Sequence, residues 1–339
     1  MKYFLFITVG LIMLVSACKK EKNTASIEMY QPSNFPPAVY NFSTNPVTAD
    51  GFELGRRLFY ETKLSRNNTI SCGSCHQQFA AFSHSGHIVS HGIDDLLGKR
   101  NAPAVMNMAW SYDFFWDGGV HSLDLVPPNP IKNPVEMDEQ FSVVLDKLRA
   151  TTEYPALFKK AFGSEEINSV RFMQALSQYM NRLVSANSRY DKFVRNEGGT
   201  LSAQELEGRD IFNNKCSGCH GTDLFTDRGF HNNGIQSSVT DSGRYLVTLD
   251  PTDIGRFKTP SLRNIEKTAP YMHSGKFPTL QSVLDHYSQG VHSTPTLDSA
   301  LIVNGQPGIP MSSDEKAKII AFLLTLTDND FITDPRFSE

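Results

Sequence analysis

Apolar positions along the chain recur mostly at helical spacing. Phe141, Val144, Leu145 and Leu148 fall at i, i+3, i+4 and i+7 and predict a helix soon after Asp138. Val170, Met173, Leu176 and Met180 predict another. Near the C-terminus, Ile319, Ile320, Leu323, Leu324 and Leu326 mark a third, and Ser312 with Glu315 supplies the capping box that starts it. Two shorter segments resemble each other. Leu54, Leu58 and Phe59 share a helical face ahead of Cys72. Leu206, Ile211 and Phe212 share one ahead of Cys216, where Ser202 and Glu205 form a second capping box. Period-two alternation is scarce, so the pattern predicts a mainly α protein.

The N-terminus reads differently. Lys2 precedes an apolar run of thirteen residues, Tyr3 to Val15, too short to span a bilayer but suited to a signal peptide. Val15-Ser16-Ala17-Cys18 then sets small residues before a cysteine, which resembles the bacterial lipobox. On that reading residues 1–18 are a lipoprotein signal and Cys18 carries the lipid; an ordinary signal peptide with an incidental cysteine is the alternative. Residues 19–50, polar and rich in Pro, Asn and Ser, read as a tether. The body is then expected on the periplasmic side of the envelope, held to a membrane through a lipid anchor only.

A length of 339 residues suggests two domains, and "RNEGGT" (Arg195 to Thr200) is the natural break, giving domains at 51–195 and 200–339. A net charge of −4 offers nothing for nucleic acid. The chain holds five cysteines: Cys18, Cys72, Cys75, Cys216 and Cys219. The last four lie in two CxxCH units, Cys72-Gly73-Ser74-Cys75-His76 and Cys216-Ser217-Gly218-Cys219-His220, which leaves none for a zinc tetrad or a structural disulfide. CxxCH is the attachment signature of c-type haem: each cysteine adds to a vinyl group and the histidine binds the iron. The two units stand 144 residues apart with similar flanks, so the expected fold is two cytochrome c-like haem domains related by duplication, carrying two covalently bound haem c.

Beyond these motifs, "RNAPAVMNMAW", "FFWDGG", "NPVEM", "TPSLRNIEKTAPYMHSG" and "AFLLTLTD" occur in an order that resembles the bacterial di-haem cytochrome c peroxidase and MauG family. The resemblance implies a division of labour. The haem on His76 would be peroxidatic, and the haem on His220 would take electrons from a small donor protein of cytochrome c or cupredoxin type, reducing hydrogen peroxide to water. Trp116 matches the family's tryptophan between the haems; read alone it is a large core side chain. Glu136 matches the distal glutamate above the peroxidatic haem, where a carboxylate in an apolar pocket suits proton transfer; read alone it caps the helix near Asp138. Asn101, Thr268 and Pro270 match a calcium site between the domains, or else a turn that needs no metal. Of the loop histidines His84, His87 and His91, the last is the positional match to a ligand that gates the first iron; three solvated histidines are the alternative. Many relatives are dimers, so a homodimer is compatible.

The second haem departs from the usual pattern. Leu280, Val283, Leu284 and Tyr287 share a helical face, which turns Tyr287 inward and His286 away. Most peroxidases of the family place methionine where Tyr287 stands, whereas MauG has an iron-binding tyrosine. A phenolate favours ferric and higher states; a thioether favours ferrous iron. Met272 is the competing ligand. Three functions stay open: a donor-fed peroxidase, a MauG-like oxidase of a protein substrate, and a non-enzymatic di-haem electron carrier.

Overall fold

The computed structural model describes residues 26–339. The signal segment and Cys18 lie outside the described residues. Helices dominate, in chain order α1 (Ala49–Tyr60), α2 (Cys72–Cys75), α3 (Pro128–Lys132), α4 (Phe141–Arg149), α5 (Glu153–Phe162), α6 (Ser169–Arg182), α7 (Arg189–Val194), α8 (Ala203–Lys215), α9 (Tyr245–Thr248), α10 (Leu280–Asp285), α11 (Ser313–Leu324) and α12 (Asn329–Thr333). Among the described residues the strands form two antiparallel ribbons of two residues each: β1 (Phe230–His231) with β2 (Phe257–Lys258), and β3 (Ile302–Val303) with β4 (Gln306–Pro307).

Each CxxCH unit follows a helix that packs tightly on a partner, α1 on α6 and α8 on α11. The Gly-Arg pair repeated ahead of both units explains the closeness. A Cβ on Gly55 would lie 2.0 Å from the Ala175 carbonyl oxygen, and one on Gly208 would lie 2.0 Å from that of Lys318. Only glycine permits either approach. Around the first pair, Leu54, Leu58, Phe59, Phe82, Leu148, Phe172 and Tyr179 form one core. Around the second, Phe212, Phe225, Leu284, Ile319, Phe322 and Leu326 form another. The Ser202–Glu205 and Ser312–Glu315 capping boxes both form.

Four expectations change. Residues 26–48 are not free tether. Ile27 donates its amide to the Val47 carbonyl, the Trp110 indole donates to Pro36 O (2.7 Å), and Phe35 is buried edge-on against Trp110. Proline and asparagine made this stretch look like linker, but they serve its irregular path over the core. The C-terminal tail does not stay with the second domain: Phe331 and Phe337 join the first core, and the Tyr60 and Tyr179 hydroxyls both donate to the Phe337 carbonyl. In α6, Val170 is exposed; Leu176 and Met180 are buried as expected, and Phe172, Ala175 and Tyr179 join them on the buried face. In α11, Leu324 is exposed, and Phe322 with Ile319 and Leu323 fills the core.

The two halves are joined by a buried ion pair. Arg263 and Asp191 are both fully buried; the guanidinium donates to both carboxylate oxygens, and its Nε–H reaches Ser185 O at 3.2 Å. The Asn34 amide donates to the same carboxylate, and Arg263 lies over the Phe35 ring, so the N-terminal segment is fastened at this point too.

Candidate active site

The first CxxCH unit is α2. Its Ser71 N-cap and Ser74 exchange hydrogen bonds that fix the short turn. His76 follows directly, and its Nδ1 bonds the Phe82 carbonyl at 2.9 Å. A carbonyl only accepts, so Nδ1 carries the proton and Nε2 keeps its lone pair for a metal. The second unit closes α8 in the same way, with His220 Nδ1 donating to Phe225 O at 3.1 Å. Burial lowers the pKa of both imidazoles, so both are neutral. All four thiols are free of disulfides. Two free thiols beside a neutral histidine with Nε2 available is the donor set that a covalently attached haem requires, so the residues at both sites fit that group.

Glu136 stands beside the first unit, close enough for its charge to act on both the Cys72 and Cys75 thiols. It does not cap a helix: α4 begins at Phe141 with Gln140 as N-cap. Its Oε1 accepts from Asn133 Nδ2 at 2.8 Å, and burial pushes its pKa up against that hydrogen bond. The loop carrying His91 closes over it. Ile93 N donates to Glu136 O at 2.7 Å, and a Cβ on Gly92 would meet Val135 O at 2.1 Å.

The loop histidines are not all solvated. His84 is only 6% exposed and its Nδ1 lacks a hydrogen-bond partner. Its ring stacks on His87 at 4.1 Å, and His87 meets His91 edge-on at 4.4 Å. Burial, and then the neighbouring imidazoles including His76, push the His84 pKa down to about 4. His91 accepts the Cys75 thiol on its carbonyl at 3.3 Å.

Trp116 lies in the seam between the halves, 9% exposed. Its indole donates to Asn101 O at 2.8 Å, and its carbonyl accepts from Lys258 N at 2.7 Å. The His273 ring faces it edge-on at 6.3 Å and stacks on Phe257 at 3.5 Å. Arg100 ties the seam by donating to Asp117 (2.6 Å) from one half and to Asp241 (2.7 and 2.9 Å) from the other. Asn101 N donates to His273 O, and its amide donates to the His87 and Ile88 carbonyls, which leaves Oδ1 to offer a cation. A Cβ on Gly275 would lie 2.1 Å from Ile88 O, so the segment following Thr268 and Pro270 lies against the one preceding Asn101. These oxygen donors suit calcium in kind.

At the second site the helical count slips. α10 stops at Asp285 and continues as a π turn, His286–Gly290. The wider turn buries His286, contrary to the expected outward position, and its Nε2 donates to Asn233 O at 3.0 Å. Tyr287 is half-buried as a residue, but burial pushes its hydroxyl's pKa up to about 12, and Asn233 and the Cys216 and Cys219 thiols lie near it. The Asn233 amide donates to Met272 Sδ at 3.3 Å. Met272 and Tyr287 therefore both lie beside Asn233.

His84 was named only as one of three loop histidines, and Asn133, Asn233, His273 and the Arg100 bridge were not picked out in the sequence. Asn133 was within reach, three residues before Glu136 in "NPVEM", and Arg100 heads "RNAPAV". Nothing local pointed to the others, whose partners are distant in the chain.

Two CxxCH loops, each presenting its histidine in the metal-binding tautomer, define a protein of the di-haem c-type class. The chain belongs to the di-haem cytochrome c peroxidase and MauG family. The sequence model of the family described as di-haem cytochrome c peroxidase matches residues 49–199. The chain is 35% identical over 297 residues to the methylamine utilization protein MauG of Methylorubrum extorquens, covering 86% of this chain and 82% of that protein. It is 32% identical over 290 residues to the cytochrome c551 peroxidase of Nitrosomonas europaea, covering 84% and 82%. Among solved structures it resembles a MauG-like protein associated with microbial copper homeostasis, with a TM-score of 0.83 and 34% identity over 92% of this chain and 99% of that one. Membership of this family implies two covalently bound haem c groups and an oxidoreductase.

Proposed function

We propose that this chain reduces hydrogen peroxide to water with electrons from a small redox protein, and that the electrons enter at the second haem and pass to the first. The observation that carries the reading is Glu136: a half-buried carboxylate beside the first CxxCH unit, aimed by Asn133 and otherwise without a structural task. When bound, the haem supplies the iron that takes peroxide and the electrons that break its O–O bond. The chain moves the proton. Glu136 removes the proton from the near oxygen of peroxide and returns it to the departing one, which leaves as water; two electrons from the donor and two protons taken up from solvent complete the second water. Asn133 holds the carboxylate at that task through Oε1. Trp116, fixed by Asn101 and packed against His273, lies between the halves as a path for an electron or hole.

A second reading is a MauG-like oxidase of a protein substrate. Tyr287 beside Cys216 and Cys219 favours it, because a phenolate ligand would hold the second iron in high oxidation states. A plain electron carrier would have no use for Glu136. Duplication of the two haem units is supported by the paired glycines and matching histidine bonds. We further infer that His91 covers the first iron at rest, that calcium binds at Asn101, Thr268 and Pro270, that Cys18 anchors the protein on the periplasmic side, and that a homodimer is compatible with this role. Among the described residues no helix is long and apolar enough to cross a membrane.

The test is peroxide-dependent oxidation of a reduced small cytochrome or cupredoxin by the purified di-haem protein. Turnover that stops in His76→Ala and His220→Ala supports the reading. No donor oxidation with peroxide present overturns it.

A further inference from the structure

Among the described residues three tyrosine hydroxyls donate to carboxylates: Tyr40 to Asp124 at 2.7 Å, Tyr154 to Glu61 at 2.8 Å and Tyr190 to Asp223 at 2.8 Å. Tyr190 is the one whose ring packs on a residue bonded to a CxxCH histidine. It meets Phe225 edge-on at 5.2 Å, and the Phe225 carbonyl holds His220 Nδ1. The first site is built otherwise. Its carbonyl belongs to Phe82, and the rings against Phe82 are Phe59 and Phe331. Beyond Phe59, Tyr60 and Tyr179 donate to the Phe337 carbonyl, which cannot take up a proton. A tyrosine with a base in hydrogen-bond reach therefore adjoins the second histidine and not the first.

The chemistry of phenols makes that difference matter. Oxidising a phenol while it keeps its proton gives a strongly acidic cation; oxidising it as the proton moves to a base avoids that state. The donor–acceptor distance must be short, and here it is 2.8 Å. Tyr190 is 9% exposed, which shields a radical from solvent. Asp223 is half-buried at the edge of the same loop. At rest burial, and then the Asp223 charge, hold the phenol protonated.

We propose that Tyr190 and Asp223 are a redox-active pair that stores an oxidising equivalent delivered by peroxide to the second haem. One electron leaves the Tyr190 ring for the oxidised haem, the O–H bond breaks and the proton moves to Asp223. The products are a neutral phenoxyl radical, a carboxylic acid and a haem reduced by one electron. An electron from the protein donor and the proton from Asp223 then restore the phenol. The pair would spare the peroxide pocket from oxidation whenever donor is scarce. This rests on the reading that peroxide oxidises the haems of this chain.

The test uses the di-haem protein, its Tyr190→Phe and Asp223→Asn variants, and protein labelled with ring-deuterated tyrosine. Each is mixed with peroxide without donor, frozen, and examined by electron paramagnetic resonance. The expected result is an organic radical signal that narrows on deuteration, is lost in Tyr190→Phe and is weakened in Asp223→Asn, with unchanged haem attachment. An unchanged tyrosyl signal in Tyr190→Phe overturns the pair, as does its absence from wild type whose haem spectrum has responded to peroxide. If the haem spectrum does not respond, the peroxidase reading fails instead. Photogenerated tris(bipyridine)ruthenium(III), used on protein in which the exposed Tyr30 and Tyr112 are replaced by phenylalanine, then tests the pair directly: a tyrosyl absorption diminished by adding Tyr190→Phe supports it, and equal absorption with and without that substitution overturns it.

Discussion

Replacing Glu136 by glutamine is a narrow perturbation. The amide keeps the volume, and its Oε1 still accepts from Asn133 Nδ2 at 2.8 Å, so the side chain stays aimed. What is lost is the ability to take and return a proton. A positioned general acid–base group contributes about 10²–10⁴-fold, which is roughly 2.7–5.5 kcal/mol of barrier. Burial raises the Glu136 pKa, so the carboxylate form the reaction needs is depleted as pH falls through a value above the ordinary ~4.3. The wild-type rate should therefore fall on an acid limb set above the usual carboxylate range. Rapid mixing of peroxide with the di-haem protein across that range measures both quantities. The variant should lose the rate by that factor and lose the limb, with its thermal midpoint kept. A variant that retains the wild-type rate and limb would refute proton transfer by Glu136.

Further perturbations probe other parts. Tyr287→Met should raise the potential of the second haem by a sizeable part of the roughly 0.8 V that axial ligands span, and a redox titration without a shift would give the ligand role to another residue. Asp191→Asn leaves Arg263 buried without its counter-charge and should cost about 3–5 kcal/mol in denaturant titration. Burial opposes ionisation of Asp191, but Arg263 prevails and holds its folded pKa below the usual value of about 3.9. The pair's contribution is thus full above that pH and is lost as pH falls through the lower folded value, so wild type and variant should converge only in strong acid. Gly208→Ala drives a methyl into the Lys318 carbonyl and should cost about 1–3 kcal/mol, read as a lowered melting temperature; an unchanged one would mean that α8 and α11 separate freely.

The helices and haem loops were legible because each depends on local spacing: α4 and the capping boxes of α8 and α11 follow from residues three or four apart. The likeness of the two helices ahead of the CxxCH units was visible, but the reason each carries a glycine, close packing on α6 and α11, lies far along the chain. His286 was misplaced because periodicity assumes 3.6 residues per turn and the π turn does not keep it. His84 looked like a solvated loop residue because Ser and Gly surround it in sequence, whereas stacking on His87 and burial decide its state. The packed path of residues 26–48 depends on Trp110, Val47 and Asp191, which no local pattern reveals.

The most direct test of the central claim is a stoichiometric titration of the purified di-haem protein, with both haem attachments verified by mass. A reduced small cytochrome serves as donor, and hydrogen peroxide is added in measured portions. The account predicts two donor molecules oxidised per peroxide consumed, with the rate collapsing in Glu136→Gln. Peroxide that survives unchanged beside a fully reduced donor would contradict it.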